Sequence, residues 1–118
     1  MKEGKVIKWK EIDPEIINTQ EIKGVKKRVV IGEKEGAENF ILRVFTVAPG
    51  GYSPKHSHPW EHEVFVLRGE GKVLLEDDYH EVSRGHAVFV PEEIEHQLVN
   101  TSESEEFEFI CVIPKGGK

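Results

Sequence analysis

Residues 50–69 read GGYSPKHSHPWEHEVFVLRG, and three of the six histidines of the chain fall within seven of these positions. His56 and His58 are two apart, and in extended backbone residues i and i+2 project from the same face. Pro59 and Trp60 interrupt the strand, and His62 opens the next apolar run, Val64 to Leu67. Two imidazoles on one face can share a metal ion, and His62 offers a third nitrogen from the neighbouring strand or turn. The plain alternative is three polar surface residues on a turn rich in Pro and Ser. The H-x-H-x3-H spacing favours the metal, because imidazole is the commonest protein ligand of transition metals.

Outward from this stretch the chain is a series of short strands. The reading places strands at 5–9, 26–32, 39–47, 63–67, 72–76, 79–82, 87–90, 97–100 and 106–114, each bounded by Gly, Pro, Asn or Asp. The only stretch with a helical period is around NTQEI at 18–22. Strands recurring every ~8–12 residues predict an all-β barrel or sandwich. Lys115 to Lys118 read as a flexible tail.

The totals narrow the class. A chain of 118 residues is one domain able to bury its own core. Sixteen basic against 22 acidic residues give a net charge of -6, and KKR at 26–28 is too short to suggest nucleic acid. No apolar run nears the ~18 residues of a membrane span, and the charged N-terminus has no signal-peptide core. A single cysteine, Cys111, fits a reducing compartment. The expectation is a cytoplasmic protein without nucleic-acid or membrane partners.

Alternation predicts which side chains face inward. In residues 107–113 Glu108 should face out, and Phe107, Phe109, Cys111 and Ile113 should face in. Arg43 shares a face with Ile41, Phe45 and Val47, so either it points into the barrel or that face lies against another subunit. VVI, VFVL and VFV are apolar on both faces, and a homodimer burying one sheet face is expected.

A second stretch, GHAVFVPEEIEHQLVN at 85–100, supplies His96. With the first it resembles the cupin superfamily. That family's motif G(x)5HxH(x)3-4E(x)6G is met by Gly50, His56, His58, the slot at 62 and Gly69. Its second, G(x)5PxG(x)2H(x)3N, is met by Gly85, Pro91, the slot at 93, His96 and Asn100, with 15 residues between the motifs. The resemblance implies a single-domain cupin barrel, or jelly roll, with an N-terminal strand arm over 1–25 and the barrel over 26–114. Two positions depart from the pattern. Glu93 stands in a glycine slot, predicting a turn that needs no positive φ. His62 stands where the family has its glutamate ligand. Glu63 would fit a looser spacing, but His62 shares the strand face of Val64 and Val66, so His62 is taken as the ligand. The implied set is His56, His58, His62 and His96. It is similar to that of small bacterial cupins, some from hyperthermophiles and binding manganese.

Such a set implies one divalent transition metal per chain. The resemblance favours Mn or Fe, whereas all-nitrogen ligation by itself suits Zn, Cu, Ni or Fe, with Co also open. Cys111 and Arg43 are candidate catalytic residues, and Phe109 and Trp60 candidate pocket residues. Cys111 is either a small buried hydrophobe or a group beside the metal. Trp60 either shields the site or packs at a subunit boundary. The expected function is a dioxygenase-like oxidation of a small organic substrate. A redox-neutral isomerase or cyclase, or a module that only binds small molecules, remains the alternative.

Overall fold

The computed structural model describes residues 3–117. Among them nine strands, paired antiparallel throughout, form one continuous sheet: β1 Glu15–Ile17, β2 Lys23–Ile31, β3 Phe40–Tyr52, β4 His62–Arg68, β5 Glu70–Leu75, β6 Asp78–Ser83, β7 Ala87–Val90, β8 His96–Asn100 and β9 Phe107–Pro114. The order is β6-β5-β8-β3-β9-β4-β7, with β2 and then β1 added alongside β3. The 13-residue β3 is long enough to serve both halves. Its first part pairs with β2 and β9, and Tyr52 at its end pairs with Val99 of β8. This rolls the sheet into the expected all-β jelly-roll barrel.

Valines dominate the interior because β-branched side chains suit a pleated, buried face. Val25, Val47, Val64, Val66, Val73, Val90 and Leu98 meet Phe107, Phe109 and Ile113 there. The predicted inward residues of β9 are all buried, Phe107 completely. Gly69, at the β4–β5 turn, has φ +82°, and a Cβ there would run into the Glu106 carbonyl. The connection from β4 to β5 passes the start of β9 this closely because the side chain is missing.

Several local expectations are corrected. Residues 5–9 form no strand, and a 3-10 turn occupies Trp9–Glu11. The strand Glu15–Ile17 was not foreseen, and 18–22 is the turn after it, closed by Thr19 capping the Glu21 and Ile22 N–H groups. Glu108 does not face water. It is 6% exposed, accepts a hydrogen bond from the Thr46 hydroxyl at 2.9 Å and lies 3.6 Å from Arg68, because β3 and β4 flank it on both sides. Glu93 does take positive φ, +65°. Its N–H donates to the His58 carbonyl at 2.8 Å, and that bond holds the strained turn. In the tail, Lys115 N–H donates to the Asn39 carbonyl and Gly117 N–H to that of Pro114; Lys118 lies outside the described residues.

Candidate metal centre

Four elements bring the histidines together. His56 and His96 form an isolated bridge, each N–H donating to the other's carbonyl at 3.1 and 2.8 Å. His58 follows two residues on, its carbonyl tied to Glu93. His62 begins β4 and faces inward with Val64 and Val66, while Glu63 is exposed on the opposite face. Ring centroids stand 5.0 Å apart for His56–His58, 4.8 Å for His56–His96, 4.9 Å for His58–His96, 4.2 Å for His58–His62 and 5.1 Å for His62–His96.

The nitrogens point the right way. His96 Nδ1–H donates to the Ile94 carbonyl at 2.9 Å and His58 Nδ1–H to that of Trp60 at 3.3 Å. A carbonyl can only accept, so these contacts put the proton on Nδ1 and leave Nε2 with a free lone pair. His56, His58 and His96 offer ring nitrogens within 4.8 Å of one another. His62 Nε2 lies 2.7 Å from His58 Nε2, so this pair either shares a proton or shares an ion. Adjacent ligands on an octahedral ion with ~2.1 Å bonds stand about 3.0 Å apart and opposite ones about 4.2 Å, so the nitrogens of His56, His58 and His96 are near the spacing around a single ion and would draw slightly together on it.

Burial and mutual repulsion favour the neutral form of His56, His58 and His62. Burial, then repulsion from His96, His58 and Arg43, lowers the His56 pKa to about 4. Burial, then repulsion from His58, His96, Arg43 and His56, lowers that of His62 to about 3. His58 shifts down as well, mainly by burial and His96, with the Trp60 carbonyl partly opposing. A neutral imidazole is the form that binds metal. The donor set therefore fits a divalent transition metal; its chemistry does not select among Mn, Fe, Co, Ni, Cu and Zn.

A cavity of about 220 Å³ opens beside the cluster. Arg43, Phe109 and Cys111 line it together with His56, His62 and His96. Arg43 points inward, which decides between its two earlier options. The β3–β9 register sets Arg43 opposite Cys111 and the β4–β9 register sets Cys111 opposite Val64, two residues from His62. The sulfur accepts a hydrogen bond from Arg43 at 3.0 Å and lies 3.2 Å from His62 Nδ1. Burial pushes the thiol pKa up, with Arg43 and Lys27 opposing. Trp60 is not part of the cavity wall: it stacks flat on His58 at 4.3 Å, inclined by 9°. His80 and His86 are exposed and away from the cluster, His86 held within the Ser83 turn.

Sequence reasoning missed Phe45 and Lys27 as cavity residues. Phe45 stacks on Phe109 at 5.4 Å and 17°. The alternation that linked it to Arg43 carried the signal, and Lys27 is likewise two residues from buried Val25. Asn100 is structural: its amide donates to the Val47 and Glu105 carbonyls and its oxygen accepts from Ser102 N–H, tying the turn before β9.

Known proteins share this fold. The polyketide cyclase RemF from Streptomyces resistomycificus is 32% identical, with a TM-score of 0.87 over 95% of this chain and 80% of its own. A predicted oxalate decarboxylase from Thermotoga maritima is 26% identical, with a TM-score of 0.83 over 94% of this chain and 99% of its own. The protein SchB of Streptomyces halstedii is 32% identical over 71 residues, 59% of this chain and 51% of that protein, so the match spans about half of that relative. The family model of the cupin domain matches residues 43–113, the stretch that carries Arg43, all four clustered histidines and Cys111. More than half of the chain is covered by that match, and the chain belongs to the cupin family.

Proposed function

We propose that this protein is a metal-dependent, dioxygenase-like enzyme acting on a small oxygen-bearing ring compound, with His56, His58, His62 and His96 all serving as metal ligands. The observation that carries the reading is a cavity lined by three imidazoles of the cluster, His56, His62 and His96, and by Phe45 and Phe109, which among the described residues has no carboxylate in its lining. A cavity of about 220 Å³ is smaller than the ~300–1,000 Å³ of drug-sized sites, so its occupant is of one or two rings. Phe45 and Phe109, stacked on each other, give it an apolar side. His58 and His96 hold their Nε2 lone pairs toward the cluster through their backbone hydrogen bonds. When bound, a redox-active divalent ion supplies a Lewis acid for a substrate oxygen and a path for electrons between substrate and O2. Adding both atoms of O2 across a carbon–carbon double bond to give two carbonyls takes up no proton and releases none. Such a reaction needs no acid or base from the lining.

The second reading, a redox-neutral cyclase, is favoured by the likeness to RemF. Ring closure at carbon must remove a proton, so a histidine or Cys111 would have to act as the base. Elemental analysis with O2 uptake on catechols and alkenyl phenols separates the readings. Near-stoichiometric metal and substrate-dependent uptake, abolished by a chelator, are expected. Ring closure of a poly-β-ketone under argon would replace the oxidative reading by the cyclase. Full metal content with neither reaction would leave a protein that only binds its ligand.

A further inference from the structure

The cavity holds two cations without a counter-charge. Arg43 and Lys27 both line it, and among the described residues none of its lining is acidic. Arg43 is 5% exposed. A buried guanidinium ordinarily has a carboxylate partner, since taking an unpaired charge out of water is strongly unfavourable. The ion pairs among the described residues join Arg68 to Glu106 and to Glu108; none reaches Arg43. What Arg43 has instead is one donation to the Cys111 sulfur, a weak acceptor, and the Phe45 ring face 5.0 Å from its central carbon. Its Nε has no hydrogen-bond partner. Lys27 comes from the adjacent strand, where the register sets it opposite Phe45. Two strands thus aim positive charge into one slot whose floor is a pair of stacked aromatic rings. The Cys111 sulfur contacts both Arg43 and His62, so an anion held by Arg43 lies beside the histidine cluster.

We propose that the cavity takes a small aromatic carboxylate, its carboxyl group held by Arg43 and Lys27 and its ring packed beside Phe45 and Phe109. The proposal rests on the small-ring reading above and narrows it to an anionic substrate. A planar guanidinium fork matches a carboxylate better than it matches a single phenolate oxygen, and Lys27 adds a point charge.

Titration calorimetry on the metal-loaded full chain tests this with benzoate and its neutral isostere benzamide. Benzoate is expected to bind roughly tenfold or more tightly, the scale of one charge-assisted hydrogen bond. Metal content is checked in every variant, because the ion attracts carboxylate in all of them alike. With metal unchanged, K27Q and R43Q are expected to lose most of the preference. R43K, which keeps the charge without the fork, is expected to keep part of it. Should R43Q fail to fold, the comparison of K27Q with R43K decides. Equal binding of the two probes, or an undiminished preference in both K27Q and the Arg43 variant, would overturn the proposal. A protein that prefers benzoate and consumes no O2 would sink the oxidative reading and leave this one standing.

Discussion

Replacing His62 by Ala separates a four-histidine centre from a three-histidine one. His62 Nε2 is 2.7 Å from His58 Nε2, and His62 is only 7% exposed, facing the cavity. Loss of a residue that merely orients a ligand costs ~10–100-fold in metal affinity, so loss of a direct ligand should cost at least about 100-fold, or ~2.7 kcal/mol. A ligand that binds only the folded chain stabilises it by RT ln(1 + [L]/Kd), so at fixed excess metal the same ~2.7 kcal/mol of metal-induced stabilisation disappears. For 118 residues the unfolding entropy is about 0.25 kcal/mol/K, and the lost stabilisation corresponds to about 11 °C. The assay is scanning calorimetry of wild type and H62A, each with and without excess Mn²⁺, with Kd from metal titration. The metal-free pair measures what the missing ring costs the barrel itself, and the difference of differences isolates coordination. A Kd within tenfold of wild type, with an equal metal-induced rise in Tm, would remove His62 from the ligand set.

Further outcomes follow from the same geometry. With His56 at about 4 and His62 at about 3, protons should displace the metal only below about pH 5, whereas ordinary imidazoles titrate near 6.5. By linkage the metal-free chain loses stability as pH falls from 6.5 toward 4, because there the unfolded state takes up protons that the folded state refuses; urea unfolding at stepped pH reads this, and a flat profile would contradict it. At Glu93, with φ +65°, Gly should leave Tm unchanged or slightly higher, while Val should lower stability by ~1–2 kcal/mol, about 4–8 °C; equal melting of both variants would refute the strain. Phe40, Phe65 and Phe89 are 65%, 46% and 56% exposed, and light scattering is expected to give the mass of two chains, with F65E and F89E shifting it to one. A wild-type mass of one chain at micromolar concentration would dispose of the dimer.

Much of this was legible in the residues themselves. Turn signals at short intervals determined an all-β chain, because Gly, Pro and Asp act on their own backbone. Period-two alternation placed Phe107, Phe109, Cys111 and Ile113 inside and chose His62 over Glu63, because a strand's pleat is a local property. The spacing of the histidines announced a cluster able to hold a metal for the same reason. What the tertiary structure decided depends on which strands are neighbours. His56 meets His96 through a bridge across 40 positions, and Arg43 meets Cys111 across 68. Glu108 is buried because β3 and β4 both flank it, although its charge and parity pointed outward. Residues 5–9 alternate like a strand but pair with no strand of the sheet, and Glu93 accepts positive φ because the His58 carbonyl holds its N–H. The cationic character of the cavity is of the same kind. Lys27 and Arg43 are ordinary residues of two strands until the β2–β3 register aims both at one slot, and register is set by pairing over the whole sheet rather than by either strand alone.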